Sequence, residues 1–301
     1  MMSRILSFAL FLIIVVIVAF NFNALLSYGR ANQIEQSAQK AIEAQNWEKG
    51  IQLYEEGHKQ FPDNATIALR LAWLYRKNQQ NSQAEATYRT LLKQAPDHLE
   101  ARMALAGLLK NDAKRVNEAI VELRQALKAH PKNPQLLASI GNVYKTAAEN
   151  PAEKREATQK WLYAQARYYY QQSLKLNNQQ FQTHFNLGVS YQNIDDNTAA
   201  AKAYCQALVV SPNSYEARYN LGLVLSDLSF EEEAYRQMGR AIQILSDRND
   251  MAMAQGLAVK VQNVKNRIFN SNRPTLTGQE IPPFLDKACL VQGIQASPEG
   301  Q

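Results

Sequence analysis

Along most of the chain, apolar residues recur at spacings of three, four and seven, with polar and charged residues between them. These spacings gather apolar side chains on one face of a helix, so the pattern predicts amphipathic helices from residue 31 to about residue 269. It fails at both ends. Residues 5–20, ILSFALFLIIVVIVAF, are apolar except for Ser7, and residues 270–301 hold four prolines with no sustained period.

A longer rhythm overlies the helical one. Apolar stretches close on Pro62, Pro96, Pro131, Asn178 and Pro212, at intervals of 34, 35, 47 and 34. Ten residues after each marker stands a small residue behind a large aliphatic one: Ala72, Ala106, Gly141, Gly188 and Gly222. Thirteen residues after it stands a bulky one: Tyr75, Leu109, Tyr144, Tyr191 and Leu225. Before each closing marker runs a small-large-small triplet, as in Ala84/Tyr88/Leu91, Ala166/Tyr170/Ser173 and Ala200/Tyr204/Ala207. Each period therefore reads as two amphipathic helices and a polar turn, neither able to bury its stripe alone. A glycine inside a helix costs about 1 kcal/mol relative to alanine. Its recurrence at one equivalent position predicts that two backbones pass closely there.

This pattern resembles the tetratricopeptide repeat family, over about residues 31–248. The resemblance implies an all-α, right-handed superhelical solenoid of about six helix-turn-helix repeats, each stacking on its neighbours. The first repeat lacks the aliphatic-small pair and the sixth closes on Ser246 in place of proline. Residues 249–269 read as a capping helix. The fourth repeat carries thirteen extra residues, an insert at about 148–160. Its Asn150-Pro151-Ala152-Glu153 offers an N-cap, a proline at the first helical position and a glutamate at the third. That predicts a second helix lengthened by about 3.6 turns. The helix would project from the stack; its continuation, Trp161-Leu162-Tyr163 and Tyr168-Tyr169-Tyr170, is rich in aromatics, of which Tyr170 and a neighbour would pack in the core, whereas an exposed aromatic on the projecting turns would be a partner site. Tail residues 270–301 either dock on the repeats, through the patch at 282–291, or stay free.

What the resemblance implies for function is binding. The first helices of such repeats line a concave groove that takes other proteins or extended peptide segments. Groove positions carried over onto this chain are Trp73 and Lys77, Asn142 and Lys145, then Gln182, Phe185 and Asn186, and finally Tyr219 and Asn220. Asn186 and Asn220 stand one repeat apart in the phrases FNLGVSY and YNLGLVL, and could each offer an amide to the backbone of a guest. Relatives that grip acidic chaperone C-termini use cations at set groove positions. Here Ala138, Glu216 and Asn220 occupy the cation positions, which argues against that guest.

The remaining properties narrow the picture. With 301 residues, 46% hydrophobic and 20% charged, the chain is too apolar for disorder throughout. Its net charge of +6 is concentrated in the middle, where residues 63–178 hold eighteen Lys and Arg against ten Asp and Glu. These are interleaved in sign and lack an aromatic-basic motif, so no nucleic-acid role is expected. Residues 5–26 are long enough to span the ~30 Å hydrocarbon core as a single transmembrane signal anchor behind a four-residue tail. A cleaved signal peptide fits less well, since its apolar region is usually about 7–15 residues. The only small-residue sites, Ile17-Val18-Ala19 and Ser27-Tyr28-Gly29, are poor. A short N-terminal tail suits a bacterial inner-membrane protein with its repeats on the periplasmic side. Histidines 58, 98, 130 and 184 show no metal-ligand spacing, and no glycine-rich phosphate loop occurs, so neither an enzyme nor a metal or cofactor site is expected. Cys205 and Cys289 form no CxxC pair, which supports neither zinc nor a disulfide framework and leaves Cys205 as a small buried hydrophobe. The expectation is a membrane-anchored protein-interaction scaffold, or alternatively a self-associating subunit of a membrane complex.

Overall fold

The computed structural model describes residues 28–151, 155–270 and Leu285. The apolar run at 5–26 lies outside them; among the described residues no helix is long and apolar enough to cross a membrane. All regular structure described is helical, and the chain divides into two compact units, residues 1–108 and 109–301. The first contains α1 (28–43), α2 (Trp47–Gln60), α3 (Ala65–Lys77), α4 (Asn81–Gln94) and most of α5 (Leu99–Leu109). In the second, a 3-10 turn (Ala113–Arg115) leads into α6 (Val116–Ala129), α7 (Pro134–Ala148), α8 (Glu156–Leu176) and α9 (Phe181–Gln192). It continues through α10 (Asn197–Val210), α11 (Tyr215–Asp227), α12 (Glu231–Asp247) and α13 (Met251–Asn270).

The helix starts repeat with the sequence. Two residues after three of the four proline markers, a short polar side chain accepts a hydrogen bond from a backbone N–H in the first turn: Asn64 from Ile67, Asn133 from Leu136 and Ser214 from Ala217; after Pro96 the His98 ring takes that place, its Nδ1 3.4 Å from Ala101 N. Each such cap contributes about 1 kcal/mol. Turns inside a pair reverse through one residue in the left-handed region: Gln45, Gln79, Asp195 and Ser229, with φ from 57° to 67°. None is a glycine, so sequence alone gave no sign of them. Six residues after the marker, a long donor side chain closes the marker's own carbonyl. Arg102 Nε donates to Pro96 O at 2.7 Å, Arg218 Nε donates to Pro212 O at 3.1 Å, and His184 Nε2 lies 2.9 Å from Asn178 O. Burial pushes the His184 imidazole below its ordinary pKa, partly opposed by that carbonyl.

The core is built from the middle residue of each triplet. Tyr54, Tyr88, Leu123, Tyr170, Tyr204 and Met238 are all at most 2% exposed. Opposite them lie the small residues of the first helices, and the reason for glycine differs from the expected approach of two backbones. A Cβ on Gly141 would stand 2.6 Å from Tyr170 Cε1, and one on Gly188 would stand 2.7 Å from Tyr204 Cδ1 and Cε1. Here an aromatic ring from the partner helix, not backbone, fills the space. Only at Gly222 does backbone take part, with Ala234 O at 2.9 Å beside Met238 Cγ at 2.6 Å.

Two other expectations need correction. The second helix of the fourth repeat begins at Glu156 with Arg155 in the N-cap position, not at Asn150. At 21 residues it exceeds α10, of 14, by about two turns rather than 3.6. Part of the insert instead extends α7 to Ala148, which leaves Asn150 and Pro151 in the connection. Cys205 is buried as expected, at 1% exposure, but is disulfide-bonded. Spacing along a sequence does not report which residues a fold brings together, and that is why the bond was not foreseen.

Candidate functional site

The nine groove positions fall in both units. In the first unit, Trp73 on α3 is 36% exposed, 6.4 Å from the Trp47 ring, with Lys77 Nζ 5.5 Å from its centroid. That is a small exposed aromatic-cation cluster, and such contacts are worth about 0.5–1 kcal/mol. In the second unit, α7 carries Asn142 and Lys145, α9 carries Gln182, Phe185 and Asn186, and α11 carries Tyr219 and Asn220.

Most of these side chains have internal partners. Asn186 Nδ2 donates to Asn142 Oδ1 at 2.9 Å, and Tyr170 Oη donates to the same oxygen at 2.8 Å. Gln182 Nε2 donates to Asn186 Oδ1 at 3.2 Å. One repeat on, Asn220 bonds the Tyr204 hydroxyl, which in turn donates to Gln192 Oε1 at 2.9 Å. Burial raises the pKa of both tyrosines, and the hydrogen bonds from Asn186 and Asn220 oppose the rise. The Asn-Leu-Gly phrase thus has a structural meaning. Its asparagine satisfies the buried tyrosine of the preceding repeat, and its glycine makes room for the ring or thioether of its own. At the position equivalent to Asn186 and Asn220, the first unit has Arg70, and the Tyr54 hydroxyl has no hydrogen-bond partner.

Phe185 lies against Tyr204, ring centroids 5.6 Å apart, and Tyr219 packs with Met238 and Ala241 beneath α13. Lys145 Nζ pairs with Glu149 at 2.7 Å on its own helix. Asn186→Ala with Asn220→Ala is therefore expected to lower stability by about 0.5–1.5 kcal/mol per lost bond, readable in urea unfolding.

The least committed aromatic surface lies elsewhere. On α8, Trp161 and Tyr168 are each 55% exposed. Trp161 meets Tyr144 edge-on at 5.9 Å, Tyr144 stacks on Tyr169 at 5.7 Å, and Tyr169 meets Tyr168 at 5.2 Å. Arg124 Nη2 donates to the Tyr144 hydroxyl at 3.4 Å, and Tyr169 also bonds this guanidinium, raising its pKa. Trp161 lies on the two turns by which α8 exceeds the ordinary second helix. The aromatic run was legible in the sequence; the Arg124 contact, from the preceding repeat, was not. Among the described residues no cluster of three or more His, Cys, Asp or Glu could hold a metal.

Residues 41–108 and 185–237 each match a tetratricopeptide repeat model. Those two stretches resemble tetratricopeptide repeats. A TPR repeat-containing protein of Pseudomonas aeruginosa is 30% identical over 117 residues, which is 38% of this chain and 20% of that protein. This chain therefore aligns with only a fifth of its curated relative. Among solved structures, PilW, titled a widely conserved type IV pilus biogenesis factor, aligns over 76% of this chain and 98% of its own. Its TM-score is 0.61, at 16% identity. A tetratricopeptide repeat protein from Parabacteroides merdae covers 81% of this chain and 94% of its own at TM-score 0.55 and 10% identity. At these identities the likeness is one of fold. Tetratricopeptide repeats generally bind other proteins.

Proposed function

We propose that this chain is a membrane-anchored scaffold that binds partner polypeptides through its repeats and performs no chemistry of its own. The anchor is the apolar run at 5–26, and the repeats face the exported side, the periplasm of a bacterial cell. The observation that carries the reading is the cluster of Tyr144, Trp161, Tyr168 and Tyr169 with Arg124, exposed through Trp161 and Tyr168. Large aromatics and arginine dominate the energetics of protein interfaces, and these side chains already pack against one another. Trp73 and Lys77 form a second contact in the first unit.

Trp161→Ala with Tyr168→Ala is expected to weaken capture of the native partner at least about tenfold while leaving helicity intact. Capture from solubilised membranes by the full chain and by the double variant, quantified by mass spectrometry, makes the test. Equal capture would remove the aromatic cluster from the site. Concentration-dependent oligomers of the chain without a guest would instead favour the self-associating subunit. Protease access to the repeats in intact and opened cells decides the orientation.

A further inference from the structure

We propose that Cys205 and Cys289 form one disulfide within the chain, which fastens the C-terminal segment to the fifth and sixth repeats with Leu285 as its apolar anchor. Cys205 lies in the middle of α10, is disulfide-bonded, and the sequence holds one other cysteine, Cys289. Independently, Leu285 is 6% exposed and belongs to the apolar cluster that contains Cys205, Leu208, Leu221 and Leu225. Leu285 precedes Cys289 by four residues. Four residues reach at most about 14 Å, so a segment seated at Leu285 delivers its cysteine to the neighbourhood of that cluster. Pairing with a second copy would leave the burial of Leu285 in its own chain's core unexplained.

The bond forms by thiol–disulfide exchange with a disulfide oxidant. One cysteine thiolate attacks the oxidant's disulfide and displaces one of its sulfurs as a thiol. The second cysteine thiolate then attacks the mixed disulfide and displaces the other. Two protein S–H bonds become one S–S bond, and the oxidant takes up two electrons and two protons. Such a bond persists in oxidising compartments and is rare in the cytosol. It therefore bears on the exported orientation proposed above, although it rests on its own residues.

The test uses the full chain taken from native membranes without reductant, its free thiols blocked by alkylation before digestion. The expected product is one species joining the Cys205 and Cys289 peptides, separated by dithiothreitol. Alkylation of both cysteines, or a disulfide between two copies of the chain, would overturn the pairing. A second arm keeps both cysteines and changes Leu285→Asp. If Leu285 holds the segment down, dithiothreitol cleaves the bond about tenfold faster or more in the variant. An unchanged rate would overturn the anchor. Neither arm depends on whether the aromatic cluster binds a partner, so the two proposals fail separately.

Discussion

Replacing Arg218 with alanine is expected to destabilise the second unit by about 3–5 kcal/mol, because a buried ionic network loses one member. Arg218 is 1% exposed, and its Nη1 donates to Gln237 Oε1 at 2.7 Å. Gln237, wholly buried, passes the contact on by donating through Nε2 to Glu233 Oε1 at 2.6 Å, and Glu233 is itself 6% exposed. Removing the guanidinium leaves the Gln237 carbonyl and the Pro212 carbonyl unbonded inside the fold. It also takes a positive charge from the neighbourhood of the buried Glu233 carboxylate. Burial, with a smaller contribution from Arg240, pushes the Arg218 guanidinium down to about 10, against the pull of Glu233. Desolvation therefore outweighs attraction at this site; Arg218→Met also removes the guanidinium but keeps most of the side-chain volume, so it is expected to cost less than alanine by the packing it retains. Urea unfolding followed by circular dichroism checks both. Equal costs for the two variants would show that the lost polar contacts, not packing volume, decide the effect.

Gly188→Leu is expected to cost about 3 kcal/mol or more, at or beyond the upper end of ordinary overpacking. The first carbon added already stands 2.7 Å from two atoms of the Tyr204 ring. That ring has nowhere to go, since it is fully buried and its hydroxyl is held by Gln192 and Asn220. At the equivalent positions of the third repeat stand Ala106 and Leu123, an alanine and a smaller side chain in place of glycine and a ring. Gly188→Ala combined with Tyr204→Leu should therefore cost less than the sum of the single changes, by about 1 kcal/mol or more. Strict additivity in that cycle would mean that glycine and ring do not compete for one space.

These two sites show what the sequence displays and what it hides. Gly188, Tyr204 and their counterparts recur once in every repeat, at intervals of 34, 35 or 47 residues, and a recurring position reveals a packing rule even when the packing partner is unknown. The partner came out differently: the period pointed to close backbones, whereas the Tyr170 and Tyr204 rings occupy the space. Asn186 and Asn220 repeat equally well, but periodicity cannot distinguish a residue kept for a guest from one kept for the preceding repeat, and their amides serve the buried tyrosines. Features that occur once were least legible. The start of α8 followed Arg155 rather than the better capping residue Asn150, because α7 continued to Ala148 and drew the connection into the insert. The disulfide of Cys205 and the burial of Leu285 depend on contacts far apart in the chain, which no local pattern encodes.

The central claim is that the repeats bind another polypeptide at the exposed aromatic cluster. It is tested most directly by placing a photo-reactive phenylalanine analogue at position 161 of the full chain in native membranes, with exposed position 202 on α10 as the control. The account predicts a discrete crosslink to a different protein from position 161 and none from position 202. Crosslinks only between copies of this chain, or the same products from both positions, would contradict it.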